Sequence, residues 1–510
     1  MSADEEAPTG PDLAAGAPSA DVAEGAMLAG HVGDEAVLVA RVGGELFAIG
    51  AHCTHYHGPL ADGLLVGHQV RCPWHHARFC LRTGEALGAP AIDPVGRWDV
   101  AEKGGRIVVS AAAAQPAPAK AAPGKAPRRI VIAGGGASGF AAAEMLRRRG
   151  FDGSLVIVSS DRDAPYDRPN CSKDYLAGTA PAEWMPLRGD DWYSDNDIEL
   201  RLATEIAGLD PTARRVSLNG GEALPYDALV LALGAEPSRP PIPGLDAANA
   251  YTLRSLADAG AIIEAAKGAR RVAIVGVGFI GLEVAASLRH HGLEVHVAAP
   301  EATPLGHVLG DEVGGWIRGL HEANGVNFHL GRKVEGWAGG RLQLEGGQAI
   351  EADFIVVGTG VRPRTALAEA AGLKVDRGVV VDSRLRTSAP DIYAAGDLAR
   401  FPDAGSGQLI RVEHWVHAER QGQHIARVLL GDDAPFTDPP FFWSVHYGST
   451  VNYVGHAEGF DEARIEGSLE AQDATVRYLR GGRTLAVATV GRDVDSLKAG
   501  VALEPAAAPA

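Results

Sequence analysis

The sequence predicts a multidomain protein. It has an N-terminal all-β domain, two α/β dinucleotide-binding domains and a C-terminal α+β sheet domain. Three observations predict this. Two glycine fingerprints, at Gly134 and Gly276, each follow an apolar strand and open a helix, 142 residues apart. A pair of mixed Cys/His motifs sits in turn-rich, β-type sequence before residue 110. A low-complexity Ala/Pro/Lys stretch, residues 111–127, separates the two regions.

Taken in order, residues 1–21 read as a disordered acidic tail. The first 25 residues hold six acids and no Lys or Arg, so they match neither a secretory signal nor a transit peptide. Residues 22–110 form the all-β domain, with runs such as Glu35-Ala-Val-Leu-Val39. In it Cys53-Thr-His55 is followed, after sixteen residues, by Cys72-Pro-Trp-His75. Two thiolates on one iron and two imidazoles on the other are the ligand set of a Rieske [2Fe–2S] cluster. A tetrahedral zinc site is the alternative, but zinc fingers usually pair Cys with Cys and His with His. Here each motif mixes the two, which suits two loops each giving one ligand to each iron. Cys80 reads as a small core residue, and His57 and His76 as surface histidines.

The linker at 111–127 could span at most roughly 55–60 Å. After it, Arg129-Ile-Val-Ile-Ala133 leads into Gly134-Gly-Gly136-Ala137-Ser138-Gly139 and a helix. The first glycine allows the tight turn, the second lets backbone approach a pyrophosphate, and the third lets helix pack on strand. Asp161 follows the next strand, where an acid can bind an adenosine ribose. The pattern repeats at Arg271-Val-Ala-Ile-Val275 and Gly276-Val-Gly278-Phe-Ile-Gly281. Two fingerprints imply two dinucleotides, FAD first and NAD(P)H second. The first fold covers 128–250 and returns at 376–432, enclosing the second at 251–375. Residues 433–500 alternate β-type runs and form the C-terminal domain, and 501–510 are a tail.

The chain carries a net charge of −17 over 510 residues, which argues against nucleic acid or an anionic membrane surface. No apolar run reaches the roughly 18 residues of a membrane helix. Four Cys without a disulfide pattern fit a reducing cytoplasm.

Several segments resemble a known family. Pro165-Tyr-Asp-Arg-Pro-Asn-Cys-Ser-Lys173, Gly278-Phe-Ile-Gly-Leu-Glu283, Leu231-Ala-Leu-Gly234, Gly358-Thr-Gly-Val-Arg-Pro363 and Ala394-Ala-Gly396-Asp397 are similar to motifs of the ferredoxin reductases of aromatic dioxygenase systems. With the Cys/His module in front, the chain resembles the Rieske-bearing, apoptosis-inducing-factor-like oxidoreductases. The resemblance implies that Asp397 binds the flavin ribityl chain and that Arg168 reaches the phosphates or adenine side. It makes Lys173 and Glu283 an ion pair beside flavin and nicotinamide, the two catalytic candidates. It places Glu413, His414, Trp415 and Trp443 near the flavin rings.

Two departures stand out. Ala299 ends the second strand of the second fold, where the family has a Glu for the NAD 2′-hydroxyl. NADH is the expected donor, with NADPH the alternative. Cys171 replaces a Leu. In the cluster loops, Gly58, Trp74 and Ala77 stand where high-potential relatives have a disulfide and a Ser. A potential of roughly −150 to 0 mV follows from the missing donors. The leading function is a reductase passing electrons from NAD(P)H through FAD to the cluster, then to a downstream protein such as an oxygenase or cytochrome. A single-cysteine NADH oxidase or CoA-disulfide-type reductase using Cys171 is one alternative. A non-catalytic redox-sensing protein is another. Oligomeric state stays open.

Overall fold

The computed structural model describes residues 9–115 and 127–505. Most of the expected linker therefore lies outside the described residues, as do residues 1–8 and 506–510.

The N-terminal module is built from two antiparallel sheets. Six strands run in the order Ala17–Pro18, Arg106–Ala112, Arg97–Lys103, Glu45–Gly50, Glu35–Val42, Met27–Val32. A smaller sheet joins Leu64–Val66, Gln69–Arg71, Arg78–Cys80 and Ala86–Gly88. Alternating residues such as Leu38, Ala40, Phe47 and Ile49 fill the space between sheets, as period-two strands require. The expected disordered tail needs correction. Leu13 and Ala17 are fully buried under the large sheet, and Ala17 pairs with Ile107. Burial of two apolar side chains and a strand register orders residues 11–21.

The first dinucleotide fold is a five-stranded parallel sheet, Ile198–Arg201, Ser154–Val158, Arg129–Ala133, Ala228–Leu231, Ile392–Ala394. Its strands are apolar on both faces because helices Ala137–Arg148 and Trp415–Leu429 cover one side and further elements the other. These two helices touch closely at Gly422, where a Cβ would lie 2.1 Å from the Ser138 carbonyl oxygen. The second fold repeats the design with Ala250–Tyr251, Phe354–Val357, Arg271–Val275, Glu294–Ala299 and Val326–Leu330.

The chain crosses between the folds at the antiparallel pair Ala235–Pro237 and Val361–Pro363. This shifts both expected boundaries. Leu245 and Ala250 are buried in the core of the second fold, ahead of the expected break after 250. Ala368 and Leu373 are buried in the first, ahead of the expected return at 376.

The C-terminal domain is a five-stranded antiparallel sheet, Phe441–His446, Ser449–Gly455, Arg483–Val490, Asp473–Arg480, Glu462–Ser468, closed by helix Asp493–Leu503. The helix carries order past residue 500. Glu504 accepts from Arg71 at 2.8 and 2.9 Å, tying the expected tail to the N-terminal module.

That module packs on the remainder through polar anchors, of which Arg420 is the buried one. Arg420, buried within Trp415–Leu429, donates to the carbonyls of His76 at 2.7 Å and Ala89 at 3.2 Å. Arg78 pairs with Asp438 at 2.6 Å, and Arg188 grips Asp93 at 2.7 and 2.8 Å. No helix among the described residues is long and apolar enough to cross a membrane.

Candidate active site

The two cluster loops sit side by side at one end of the small sheet. The backbone N–H of Cys53 donates to the Gly58 carbonyl, and that of Cys72 to the Ala77 carbonyl, which tightens each loop. The four side chains sort into like pairs. The Nδ1 atoms of His55 and His75 lie 3.2 Å apart. The Cys72 thiol beside it holds the Cys53 thiol up, while Cys53 in turn holds Cys72 down. Burial pushes the His55 imidazole down to about 3 and holds His75 well below its ordinary value, so both are neutral and ligand-ready. Among the described residues, no three His, Cys, Asp or Glu side chains converge as a single metal ion needs. An imidazole pair beside a thiol pair fits a two-iron cluster.

Gly58 explains the missing side chain in the first loop. A Cβ there would lie 2.8 Å from Cys72 Sγ and 3.1 Å from the Trp74 ring. Trp74 closes this thiol side and is 41% exposed. His57 is exposed as expected. His76 is not a surface residue: it is buried, stacks on Phe441 with centroids 3.9 Å apart, and meets Ser496 Oγ at 3.2 Å. It serves the join between modules.

A cavity of 1640 Å³ runs from the first fingerprint to the second. At one end, helix Ala137–Arg148 begins with Gly136 as its N-cap, and a Cβ on Gly136 would meet only open space. Gly134, Ala137 and Ser138 line the same wall. Gly139 stands behind it, its Cβ direction blocked 1.9 Å away by the Gly134 carbonyl oxygen. Such a cradle of bare backbone N–H groups at a helix start suits a pyrophosphate. Asp161 lines the cavity and accepts from the Tyr166 hydroxyl at 2.9 Å. Arg168 stacks over the Tyr166 ring at 4.9 Å and donates to the Arg254 carbonyl.

Farther along, Gly396 (φ +72°) turns the chain so that Asp397 faces the cavity. Arg254 holds the Asp397 carboxylate at 2.7 Å. His414 and Trp415 open the long helix on the same wall. His414 Nδ1 is buried with no hydrogen-bond partner, a polar atom that a bound group can satisfy. At the second fingerprint, Gly278 and Gly281 line the cavity, and Ile280 beside them is 45% exposed. Gly276 does not line it. Its Cβ direction is closed by the Gly358 carbonyl oxygen at 2.4 Å, so its role is close packing.

Lys173 and Glu283 meet at 2.8 Å in the middle. Glu283 is buried and fully engaged. One oxygen, Oε2, accepts from Ser172 at 2.5 Å and from Lys173; the other, Oε1, accepts from Ser444 at 2.6 Å. Lys173 Nζ also lies 5.9 Å from the Trp443 ring centroid. Trp443 touches both parts of the molecule. It lines the cavity, and its ring centroid is 4.2 Å from that of the cluster-loop residue His75.

Arg254, Ser172, Ser444 and Arg420 were not singled out in the sequence, and only Ser172 belongs to a quoted motif. Only the Ser in Cys171-Ser-Lys173, next to a candidate cation, offered a local signal.

Comparison with known proteins agrees with this arrangement. Residues 128–422 match the model of the pyridine nucleotide-disulphide oxidoreductases. The chain belongs to that family. This oxidoreductase also matches the Rieske [2Fe-2S] domain over residues 14–99 and the reductase C-terminal domain over 441–509. It is 32% identical to human apoptosis-inducing factor 3 over 492 residues, covering 93% of this chain and 81% of the other. It is 35% identical to rhodocoxin reductase from Rhodococcus erythropolis, covering 72% of this chain and 88% of that one. The crystal structure of the covalent putidaredoxin reductase–putidaredoxin complex superposes with a TM-score of 0.72 at 35% identity, covering 74% of this chain and 93% of that one. The protein is an FAD-dependent, NAD(P)H-linked oxidoreductase of the ferredoxin-reductase type with an added Rieske module.

Proposed function

We propose that electrons pass from NADH, with NADPH as the alternative, through FAD into the fused Rieske cluster, and from there to a separate one-electron acceptor protein. The observation that carries this reading is the 4.2 Å approach of His75 to Trp443, a ring that also lines the dinucleotide cavity. In the covalent putidaredoxin reductase–putidaredoxin complex, the reductase and putidaredoxin are two proteins joined as a complex. Here a carrier module is part of the same chain and packs against the cavity wall.

When bound, FAD accepts electrons in pairs and releases them singly, the conversion a nicotinamide donor and a one-electron cluster require. The chain's own residues prepare that site. Gly134, Gly136, Ala137 and Ser138 hold the pyrophosphate, and Asp397, steadied by Arg254, holds the ribityl hydroxyls. Lys173 keeps a positive charge where negative charge builds up, and Glu283 orients both Lys173 and the nicotinamide amide. Cys53, Cys72, His55 and His75 hold the cluster. An oxygenase or a cytochrome fits as the acceptor, because each takes single electrons.

The thiol-based alternative lacks support. Cys171 is 2% exposed, packed among Tyr166, Met185 and Ala259, and burial pushes its thiol up to about 12. A reactive cysteine needs the opposite environment.

Anaerobic titration with NADH, and separately NADPH, tests the proposal. The flavin absorbance should bleach and a Rieske EPR signal should grow in the same full-length protein. Bleaching without any cluster signal would overturn the internal route.

A further inference from the structure

The thiol side of the cluster loops is the side that the reductase leaves uncovered. Trp74, between the ligands Cys72 and His75, is 41% exposed. Its ring packs on Gly58, whose Cβ direction meets Cys72 Sγ at 2.8 Å and the Trp74 ring at 3.1 Å. Anything that touches the outer face of this ring is one residue's thickness from a cluster ligand.

A groove of 420 Å³ lies beside Trp74. One wall is Pro59, Asp62, Pro73 and Trp74 of the Rieske module. The other is the turn into helix Asp493–Leu503 of the C-terminal domain, with Asp493 and Asp495. The two walls belong to different domains, so both must be in contact for the groove to form. At 420 against 1640 Å³ it has about a quarter of the volume of the dinucleotide cavity. It admits a few side chains of a partner and not a second dinucleotide.

The chemistry of the walls points to a protein of opposite charge. Two prolines and an indole give apolar surface that loses little freedom on contact. Trp is the residue type most enriched among the anchors of protein interfaces. Around this surface stand three carboxylates and one guanidinium, Arg492. That guanidinium is already held by Asp473 at 2.6 and 3.2 Å. Lys498 stands 3.7 Å from Asp495 at the rim, in an exposed pair that neutralises little. Asp493 is half-buried and accepts from Asn452 at 3.0 Å, and burial raises its carboxyl. Asp62 and Asp495 are therefore the charges open to a partner.

We propose that this groove docks the acceptor, a protein that sets a basic side chain against Asp62 and Asp495 and an apolar surface against Trp74. The inference rests on the exit half of the proposed function, the step from cluster to acceptor. In that step the reduced cluster loses one electron and the oxidised acceptor gains it; no bond forms and no proton moves. The carboxylates speed the encounter with a basic partner, and the indole fixes the contact.

Cytochrome c, a basic one-electron protein, is the probe. Full-length holoprotein is reduced with dithionite, freed of excess reductant and mixed anaerobically with oxidised cytochrome c. This start bypasses NADH and reads the exit alone. Trp74→Ala, and separately Asp62→Asn with Asp495→Asn, should lower the second-order rate at least about tenfold at low ionic strength. The loss in the aspartate pair should disappear near roughly 1 M salt, where the Debye length is about 3 Å. The Rieske EPR signal of both variants should match wild type, and their oxidation by ferricyanide, a small anion, should not fall. Glu335→Gln with Glu345→Gln removes the same charge from exposed positions of the second dinucleotide fold and should keep the cytochrome rate within about twofold. Equal losses in the two charge pairs would overturn the groove in favour of attraction to the overall negative charge. So would a wild-type rate in the folded aspartate pair, or a wild type that fails to reduce cytochrome c. Should Trp74→Ala lose its iron, the aspartate pair, which leaves Trp74 in place, decides alone. A cluster that dithionite reduces and NADH does not would instead overturn the internal route and leave the docking result standing.

Discussion

Arg420 is the pivot on which the Rieske module rests, and Arg420→Met tests how the join is made. The guanidinium is buried and donates to two carbonyls of the module, at His76 and Ala89. Hydrogen bonds to charged groups contribute about 1.5–3 kcal/mol each, so the pair supplies at least about 3 kcal/mol. Burial takes some of this back, because it already lowers the Arg420 guanidinium to about 9. The lower figure is therefore the one to use. Methionine fills much of the volume but leaves both carbonyls unpaired. The expected result is about a hundredfold weaker association of module and reductase. Protein nicked within residues 116–126 supplies the assay, with the dissociation constant between the two pieces read by calorimetry. In the intact chain the tether masks part of the loss, because it keeps the effective concentration high. Cluster reduction after NADH mixing should then slow by less than the nicked affinity falls. An unchanged dissociation constant would refute the assignment of docking to these two hydrogen bonds.

Three further outcomes follow from named contacts. Gly58→Ala puts a methyl group 2.8 Å from Cys72 Sγ, so overpacking of about 1–3 kcal/mol falls on the cluster loops; bound iron and the EPR signal should drop while flavin content stays. Asp167, hydrogen-bonded by the Tyr56 hydroxyl across the join, is pushed up to about 7 by burial from an ordinary value of 3.8. The folded form binds this proton more tightly, so its contribution is full below about pH 4 and is lost as pH rises toward 7, about 4 kcal/mol in all. Asp167→Asn should flatten the fall in Tm between pH 5 and 7, and an unchanged slope would exclude this carboxyl as the source. Cys171→Ser should keep NADH-driven turnover within about twofold and lower Tm by a few degrees, the cost of a buried hydroxyl; loss of turnover would restore the thiol-based reading.

The parts legible in the sequence are those whose chemistry is local. A glycine fingerprint between strand and helix needs about ten consecutive residues, and the residues at Gly134 and Gly278 stand where that pattern puts them. The four cluster ligands lie within 23 residues, on two loops of one small module. Lys173 and Glu283 are 110 residues apart, and only family resemblance joined them. Their support was invisible for the same reason. Ser444 reads simply as an inward position of an alternating strand. Nothing local marks it as a neighbour of Glu283. The N-terminal segment misled through composition: an acidic, Ala- and Pro-rich stretch looks unstructured, yet Leu13 and Ala17 suffice to seat it on a sheet edge. His76 misled through position, since a histidine beside a ligand loop faces solvent unless another domain covers it.

That covering has a consequence for traffic. The imidazole side of the cluster site faces Trp443 and is roofed by the reductase itself, so a foreign protein has no view of it while the modules are together. On the proposed route, loading is thereby private: an electron arriving this way has only one recipient, and competitors cannot intercept it there. Unloading must use another door. Either it leaves past Trp74 on the thiol side, which stays open to solvent, or the module parts from the reductase and shows the imidazoles. In the first case the chain is a fixed conduit with an entrance and an exit. In the second it is a shuttle that cannot load and unload at once, and the strength of the Arg420 clasp sets how often it departs.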